Sequence, residues 1–215
     1  MKFLFSLACS IALLAAGNAH AASINIGNMA AWSATPTWTT GDKTFTYLSS
    51  SGSWNGSELL TLSVNILQNS HSLGIVSLSD YIGPQSLSVS YRVDISGISE
   101  FKTVALDQNH TGDNVTTYKD VFGSLGDLQT YTTPGAGTLA ALVAINNVAP
   151  ADAPLPNLQS IWVRDTIVID DTGSLFGVSN TYVQMVPEPG TYALAGVGIA
   201  VAAAQRLRRR LGRCA

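Results

Sequence analysis

The chain has 215 residues, of which 46% are hydrophobic and only 12% charged, about half the charged share of an ordinary soluble domain. So apolar a composition excludes simple disorder. The formal net charge of −3 and the scarcity of Lys and Arg exclude a nucleic-acid partner, whose phosphates demand a basic footprint.

The first 21 residues read as an export signal. Lys2 supplies a positive start, residues 3–16 form an apolar run of fourteen, and Ala19-His20-Ala21 places small residues at −3 and −1. This predicts a signal helix cut after Ala21, with the Sec translocon and signal peptidase as partners. The run falls short of the roughly 20 apolar residues of a transmembrane helix.

Residues 22–185 then form one body of a size that supports its own core. It contains no cysteine, so packing alone must hold it. Apolar and polar residues alternate over 60–66 and 87–95, which puts apolar side chains on one sheet face and Ser, Thr and Asn on the other. Further strands are expected at 43–48, 72–79, 101–107, 115–122, 128–133, 139–146, 160–169 and 178–185. Between them stand turn signals: 49–57, Gly83-Pro84, Gly97, 109–114, 135–137 and 171–173. The proline-rich stretch 149–157 reads as a loop. Ten short strands at this spacing, with no amphipathic helix, predict an all-β antiparallel sandwich, jelly-roll or immunoglobulin-like. With 23 Ser and 19 Thr, the outer faces are expected to be hydroxyl-rich, which leaves few charges to guard edge strands.

Catalytic patterns are weak in this body. His71 and His110 are its only histidines; without cysteine they make no zinc set, and both read as surface residues. There is no Gly-x-Ser-x-Gly elbow for a serine nucleophile. Residues 107–114 (Asp-Gln-Asn-His-Thr-Gly-Asp-Asn) begin like a calcium loop, but Tyr118 stands where a bidentate Glu belongs. A hairpin loop without metal is therefore expected there. Glycoside hydrolysis uses two facing carboxylates, and no spacing raises any acidic pair above chance. The four tryptophans read first as core packing and loop cover. Trp32 and Trp38, which flank a Thr/Pro-rich segment, are the two expected at the surface and the candidate sugar-stacking pair. The expectation is a body with no catalytic residues, no metal and no cofactor.

The C-terminal end has three parts in sequence: Val186-Pro187-Glu188-Pro189, an apolar stretch over 191–204, and a basic tail over 205–215 with Arg206, Arg208, Arg209, Arg210 and Arg213. The prolines break regular structure. The apolar stretch predicts a short single transmembrane helix, about 21 Å long at 1.5 Å per residue, with the arginines as a cytoplasmic stop. Charge divides along the same line. Residues 22–185 carry five basic and thirteen acidic groups, a net of −8, whereas residues 186–215 net +4.

This tripartite end resembles the PEP-CTERM sorting signal of exported Gram-negative bacterial proteins. The resemblance implies exosortase as partner, with Val186, Pro187, Glu188 and Pro189 as the recognised motif and residues 191–204 as a transient inner-membrane anchor. It also implies an exopolysaccharide or extracellular-matrix setting, reached as a membrane-anchored precursor that passes to the cell surface or beyond. The expected role is structural or adhesive and non-catalytic. A secreted carbohydrate-binding module and a secreted hydrolase are the alternatives.

Overall fold

The computed structural model describes residues 22–65, 70–97, 99–111, 114–170 and 173–185. The expected signal helix with Ala19 and Ala21, the motif Val186–Pro189, the expected helix over 191–204 and the arginines beyond it lie outside the described residues. By contact the chain divides into Met1–Gln184 and Met185–Ala215. Among the described residues no helix is long and apolar enough to cross a membrane.

Among the described residues twelve strands build two six-stranded sheets. In chain order they are β1 (Ala22–Gly27), β2 (Thr37–Thr40), β3 (Lys43–Ser51), β4 (Glu58–Asn65), β5 (Ser70–Ile82), β6 (Gln85–Ile95), β7 (Glu100–Thr111), β8 (Val115–Phe122), β9 (Ala140–Ile145), β10 (Ala153–Pro154), β11 (Ser160–Ile169) and β12 (Ser174–Met185). Sheet A has the order β1-β4-β5-β12-β7-β10 and sheet B the order β2-β3-β6-β11-β8-β9. Neighbours pair antiparallel, as in β11 against β6 and β8, and β5 against β4 and β12. The architecture is the expected β-sandwich.

Strict alternation drives the pairing. In β11, Ile161, Val163, Ile167 and Ile169 point inward and are at most 1% exposed, while Trp162, Arg164, Thr166 and Val168 lie on the other face. The inward row meets Leu87, Val89, Tyr91 and Val93 of β6. Leu60, Leu62, Leu73, Ile75, Val178 and Tyr182 close the core from sheet A.

Two short helices replace expected features. Helix α1 (Met29–Ala34) begins at Asn28, whose Oδ1 accepts from Ala31 N at 2.9 Å, while Glu58 Oε1 accepts from Met29 N at 3.0 Å. Its Met29 and Trp32, three residues apart, share one face and turn into the core. Trp32 is fully buried, with its ring centroid 5.7 Å from Tyr47 and 5.6 Å from Tyr91. The expected surface position of Trp32 is therefore corrected: the asparagine cap starts a helix that carries the indole inward.

Helix α2 (Leu125–Thr130) overturns the strand expected at 128–133. Ser124 Oγ accepts from Asp127 N at 3.1 Å and donates to Asp127 Oδ2 at 2.7 Å, a side-chain cap that satisfies the first turn. The segment after it folds over the outer face of sheet B. Tyr131 Oη donates to Asp120 Oδ2 at 2.8 Å, Gly135 N donates to Asp120 Oδ1 at 2.8 Å, and the Arg164 guanidinium lies 5.0 Å from the Tyr131 ring. This cover buries Asp120 and Phe122, although both sit on the outward parity of β8.

Two polar clusters sit inside the sandwich. In the centre, Lys119 of β8, Asp165 of β11, Tyr91 of β6 and Asn180 and Tyr182 of β12 are all 0% exposed. Lys119 Nζ lies 3.0 Å from Asp165 Oδ1, and Asp165 Oδ2 accepts from Tyr91 Oη at 2.7 Å and from Asn180 Nδ2 at 2.8 Å. Lys119 Nζ also donates to Tyr182 Oη at 3.0 Å and to Tyr91 Oη at 3.2 Å. The second cluster joins Asp42, Lys43, His71 and Gln184. Lys43 Nζ contacts Asp42 Oδ1 at 3.2 Å and donates to Gln184 Oε1, whose amide nitrogen donates to Asp42 Oδ2 at 2.8 Å. His71 is 4% exposed, which corrects its expected surface position: it stands on β5 in the inward row of Leu73 and Ile75.

Burial is the main reason that His71 titrates at about 4 instead of 6.5; Lys43 adds to the lowering and Asp42 opposes it. The folded value lies below the unfolded one, so protonation favours unfolding, and stability falls as pH drops from about 6.5 towards 4. At about 1.4 kcal/mol per pKa unit the full effect is roughly 3 kcal/mol. Replacing His71→Gln is expected to flatten this limb, read as a smaller difference between urea midpoints at pH 7 and pH 4.5. Trp32→Ala is expected to cost roughly 3–5 kcal/mol in urea unfolding at neutral pH, as for other buried aromatic truncations.

Candidate functional site

The outer face of sheet A is set by the same alternation that fills the core. Leu60, Leu62 and Val64 of β4 point in, so Thr61 and Ser63 point out; Leu73 and Ile75 of β5 point in, so Ser72, Gly74 and Val76 point out. On β12 the inward Val178, Asn180 and Tyr182 leave Gly177, Ser179 and Thr181 outside. Pairing then places Ser63 beside Ser72, Ser72 beside Thr181, Thr61 beside Gly74 and Gly74 beside Ser179. Ser72 Oγ and Thr181 Oγ1 share a hydrogen bond of 2.9 Å.

These residues floor a groove of about 310 Å³ that crosses β4, β5, β12 and β7. Two glycines keep the floor low. A Cβ at Gly74 would lie 2.9 Å from Thr61 Oγ1, and one at Gly177 would lie 3.1 Å from Ile75 O. Phe176, beside the bulge between Leu175 and Gly177, and Val76 at 43% exposure supply apolar wall. Asp107 and Asn109 of β7 supply the polar wall, with Gln108 between them on the inward parity. Asp107 Oδ1 accepts from Gln108 N at 2.9 Å. Gln108 is 5% exposed; its Nε2 donates to Val115 O at 3.2 Å, and its Oε1 has no hydrogen-bond partner among the described residues. The groove therefore offers hydroxyls that both donate and accept, one carboxylate, amide groups and a half-buried ring.

A second cavity of about 270 Å³ lies beside α1, lined by Met29, Ser33, Tyr47, Ser50, Trp54 and Glu58 among others. Its polar groups are engaged locally: Tyr47 Oη with Ser50 Oγ at 2.8 Å, Trp54 Nε1 with Ser51 O at 3.1 Å, and Glu58 with the start of α1.

The expected sugar-stacking pair does not assemble. Trp32 is in the core, and Trp38 on β2 is half-buried against it, with its indole nitrogen enclosed and without a hydrogen-bond partner among the described residues. Trp54 lines the second cavity, and Trp162 lies under the Arg92 guanidinium at 5.1 Å on the outer face of sheet B. The loop expected from residue 107 begins later, because β7 continues to Thr111; residues 112–113 lie outside the described residues. Among the described residues no group of three or more His, Cys, Asp or Glu stands close enough to hold a metal ion. Sequence reasoning missed the groove altogether. Glycines at 74 and 177 inside alternating strands were its available signal, since such residues often mark a bulge or a close approach.

No curated protein matches the chain. Among solved structures, TmCBM61 in complex with β-1,4-galactotriose is similar to it at 9% identity and a TM-score of 0.34, covering 64% of this chain and 86% of that one. The xyloglucanase domain of NopAA, a type three effector from Sinorhizobium fredii, in complex with cellobiose, has 9% identity and a TM-score of 0.31, covering 76% and 98%. A structure from a study of carbohydrate-binding modules of the β-sandwich superfamily has 7% identity and a TM-score of 0.29, covering 69% and 58%. Likeness at these scores carries no argument about what this chain binds. The C-terminal end is different, because residues 186–210 match a family directly, and that match implies an exported protein held transiently at the membrane and processed by exosortase. The chain carries the PEP-CTERM protein-sorting motif and is a PEP-CTERM domain-containing protein.

Proposed function

We propose that this is a non-catalytic matrix or surface protein whose body binds exopolysaccharide along the outer face of sheet A. The groove across β4, β5, β12 and β7 carries the reading. A polysaccharide presents a dense row of hydroxyls and weakly apolar ring faces. Short hydroxyl side chains such as Thr61, Ser63, Ser72 and Ser179 can answer those hydroxyls in either direction, and they lose little rotamer freedom in doing so. Asp107 and Asn109 add stronger acceptor and donor groups, and Phe176 offers a ring against which a sugar face packs. The open, glycine-lowered floor suits an extended chain. The body's net charge of −8 favours a neutral polysaccharide over an anionic one.

The hydrolase alternative finds less support. Glycoside hydrolysis uses two carboxylates across the scissile bond, whereas Asp107 is the sole carboxylate among the described residues that line the groove. Glu58 in the second cavity is tied to Met29 N.

Sorting supplies the rest of the proposed function. Signal peptidase would cut after Ala21 once the Sec translocon has delivered the chain. Residues 191–204 would hold it in the inner membrane, with Arg206, Arg208, Arg209 and Arg210 on the cytoplasmic side. Exosortase would then act near Val186-Pro187-Glu188-Pro189 and pass the body to the cell surface or the surrounding matrix.

Binding can be checked by co-sedimentation of the purified protein with the host's exopolysaccharide. Asp107→Ala and Phe176→Ala are each expected to weaken it roughly tenfold, as loss of a charged hydrogen bond or of a stacking ring would, with unfolding midpoints little changed. Retained binding in both, with loss in Trp54→Ala, would move the site to the second cavity; release of reducing ends would overturn the non-catalytic reading. For sorting, intact mass of the surface protein is expected to show residues 190–215 missing, and the double variant Pro187→Ala/Pro189→Ala is expected to retain them.

A further inference from the structure

We propose that Lys119 and Asn180 become joined through their side chains by an amide bond, with Asp165 as the proton carrier, so that the two sheets are stapled covalently across the core. The three residues lie on β8, β11 and β12, and none has any exposure to solvent. One carboxylate holds both reaction partners: Asp165 Oδ1 is 3.0 Å from the Lys119 amine, and Asp165 Oδ2 accepts from the Asn180 carboxamide nitrogen at 2.8 Å. Asn180 Oδ1 has no hydrogen-bond partner among the described residues, so the carboxamide is held by its nitrogen, the atom that would leave. Fixing an amine, a carboxamide and an acid–base group together converts an otherwise very slow aminolysis into an intramolecular step, where effective concentrations reach about 10⁵–10⁸ M.

The chemistry balances without a co-reactant. Burial lowers the pKa of Lys119, opposed by the nearby Asp165, and the ammonium can pass a proton to Asp165 to leave a neutral amine. Lys119 Nζ attacks Asn180 Cγ and forms the new C–N bond. Asp165 gives its proton to the Asn180 nitrogen and takes one from the attacking nitrogen. The tetrahedral intermediate collapses, the old C–N bond breaks with its electrons on nitrogen, and ammonia departs. Asp165, which begins as a carboxylate and keeps the proton it took from the Lys119 ammonium, ends protonated beside a neutral amide. Tyr91 and Tyr182, whose phenols burial pushes well above their ordinary pKa, keep their protons and so remain donors around the site.

The product also removes an energetic difficulty. A buried ion pair must offset the desolvation of two charges, and a buried carboxamide oxygen without a partner is costly as well. The amide exchanges the ammonium and the free carboxamide for one neutral group. In a body without cysteine, such a bond would be a cross-link independent of the redox state outside the cell.

The test is denaturing mass spectrometry of the folded full chain, followed by trypsin digestion. The wild-type protein is expected to weigh about 17 Da less than its sequence requires, through loss of ammonia, on the scale of a small covalent modification. Trypsin should fail to cut after Lys119, and the segment containing Lys119 should run joined to the segment containing Asn180. Lys119→Met and the near-isosteric Asp165→Asn are both expected to restore the full mass and separate these segments. A wild-type chain of full mass, cut at Lys119, would overturn the proposal irrespective of how the variants fold. A loss of about 18 Da with Lys119 joined to Asp165 would overturn the assignment of Asn180 as acceptor and of Asp165 as carrier.

Discussion

A carboxylate with no access to water, Asp165, organises the sandwich. It takes an ammonium from the adjacent strand of its own sheet and a carboxamide from the facing sheet, and a tyrosine closes the set. Desolvating two opposite charges costs several kcal/mol for each ion, and that cost is offset only when the partners are all in place. An apolar core tolerates rearrangement so long as volume is conserved; a charge pair does not. Lys119 stands directly opposite Asp165 in the β8–β11 ladder, so a slip of one residue would carry one of them to the outer face and leave the other charged and alone. The cluster therefore pins the register of β8 against β11, and through Asn180 and Tyr182 it pins the parity of β12 as well.

The groove follows from that parity. Because Asn180 and Tyr182 must face the core, Ser179, Thr181 and Gly177 must face outward, where they meet Gly74, Ser72 and Val76 of β5. On β7 the inward Leu106 and Gln108 leave Asp107 and Asn109 outside. Core and groove are thus two readings of one alternation. A mutation that unsettled the buried cluster would be felt in the groove without touching it. Sheet B behaves differently: its outer face is partly closed by α2 and the segment after it, so Asp120 is used for tying down Tyr131 and Gly135.

The strands were legible where alternation is strict and turn signals bound it, as at 115–122 and 160–169, which match to the residue. Expectation failed where a cap started a helix: Ser124 with Asp127 turned the first half of the strand expected at 128–133 into helix, and Asn28 began the helix that carries Trp32, expected at the surface, into the core. The central cluster was hidden by the habit of assigning charge to the outside. Asp165 shares the parity of Ile161, Val163, Ile167 and Ile169, and Lys119 that of Val115 and Val121. Two opposite charges at core positions of neighbouring strands were a signal in plain sequence. The groove was harder to see, since its walls come from strands up to about a hundred residues apart that only the sheet order brings together. The sorting motif needed no fold at all, because its three parts are contiguous.

A charge-poor exported sandwich still has four sheet edges to protect from pairing with other chains. Lysine is the usual guard, and this body has little to spend. Geometry takes its place. The edge strand β10 is two residues long and ends in Pro154, which has no N–H to donate. Strand β2 has four residues and follows Pro36. In β1 the pairing shifts between Asn25 and Gly27, a bulge that interrupts the ladder. Along β9 the outer residues Val143 and Ile145 are exposed, and there the chain turns back through Asn146 and Asn147, both at positive φ, so that Val148 pairs with Ile145 and occupies that end of the edge. Shortness, proline, a bulge and a folded-back turn do the work that charge does elsewhere, which leaves the broad faces free to carry hydroxyl groups.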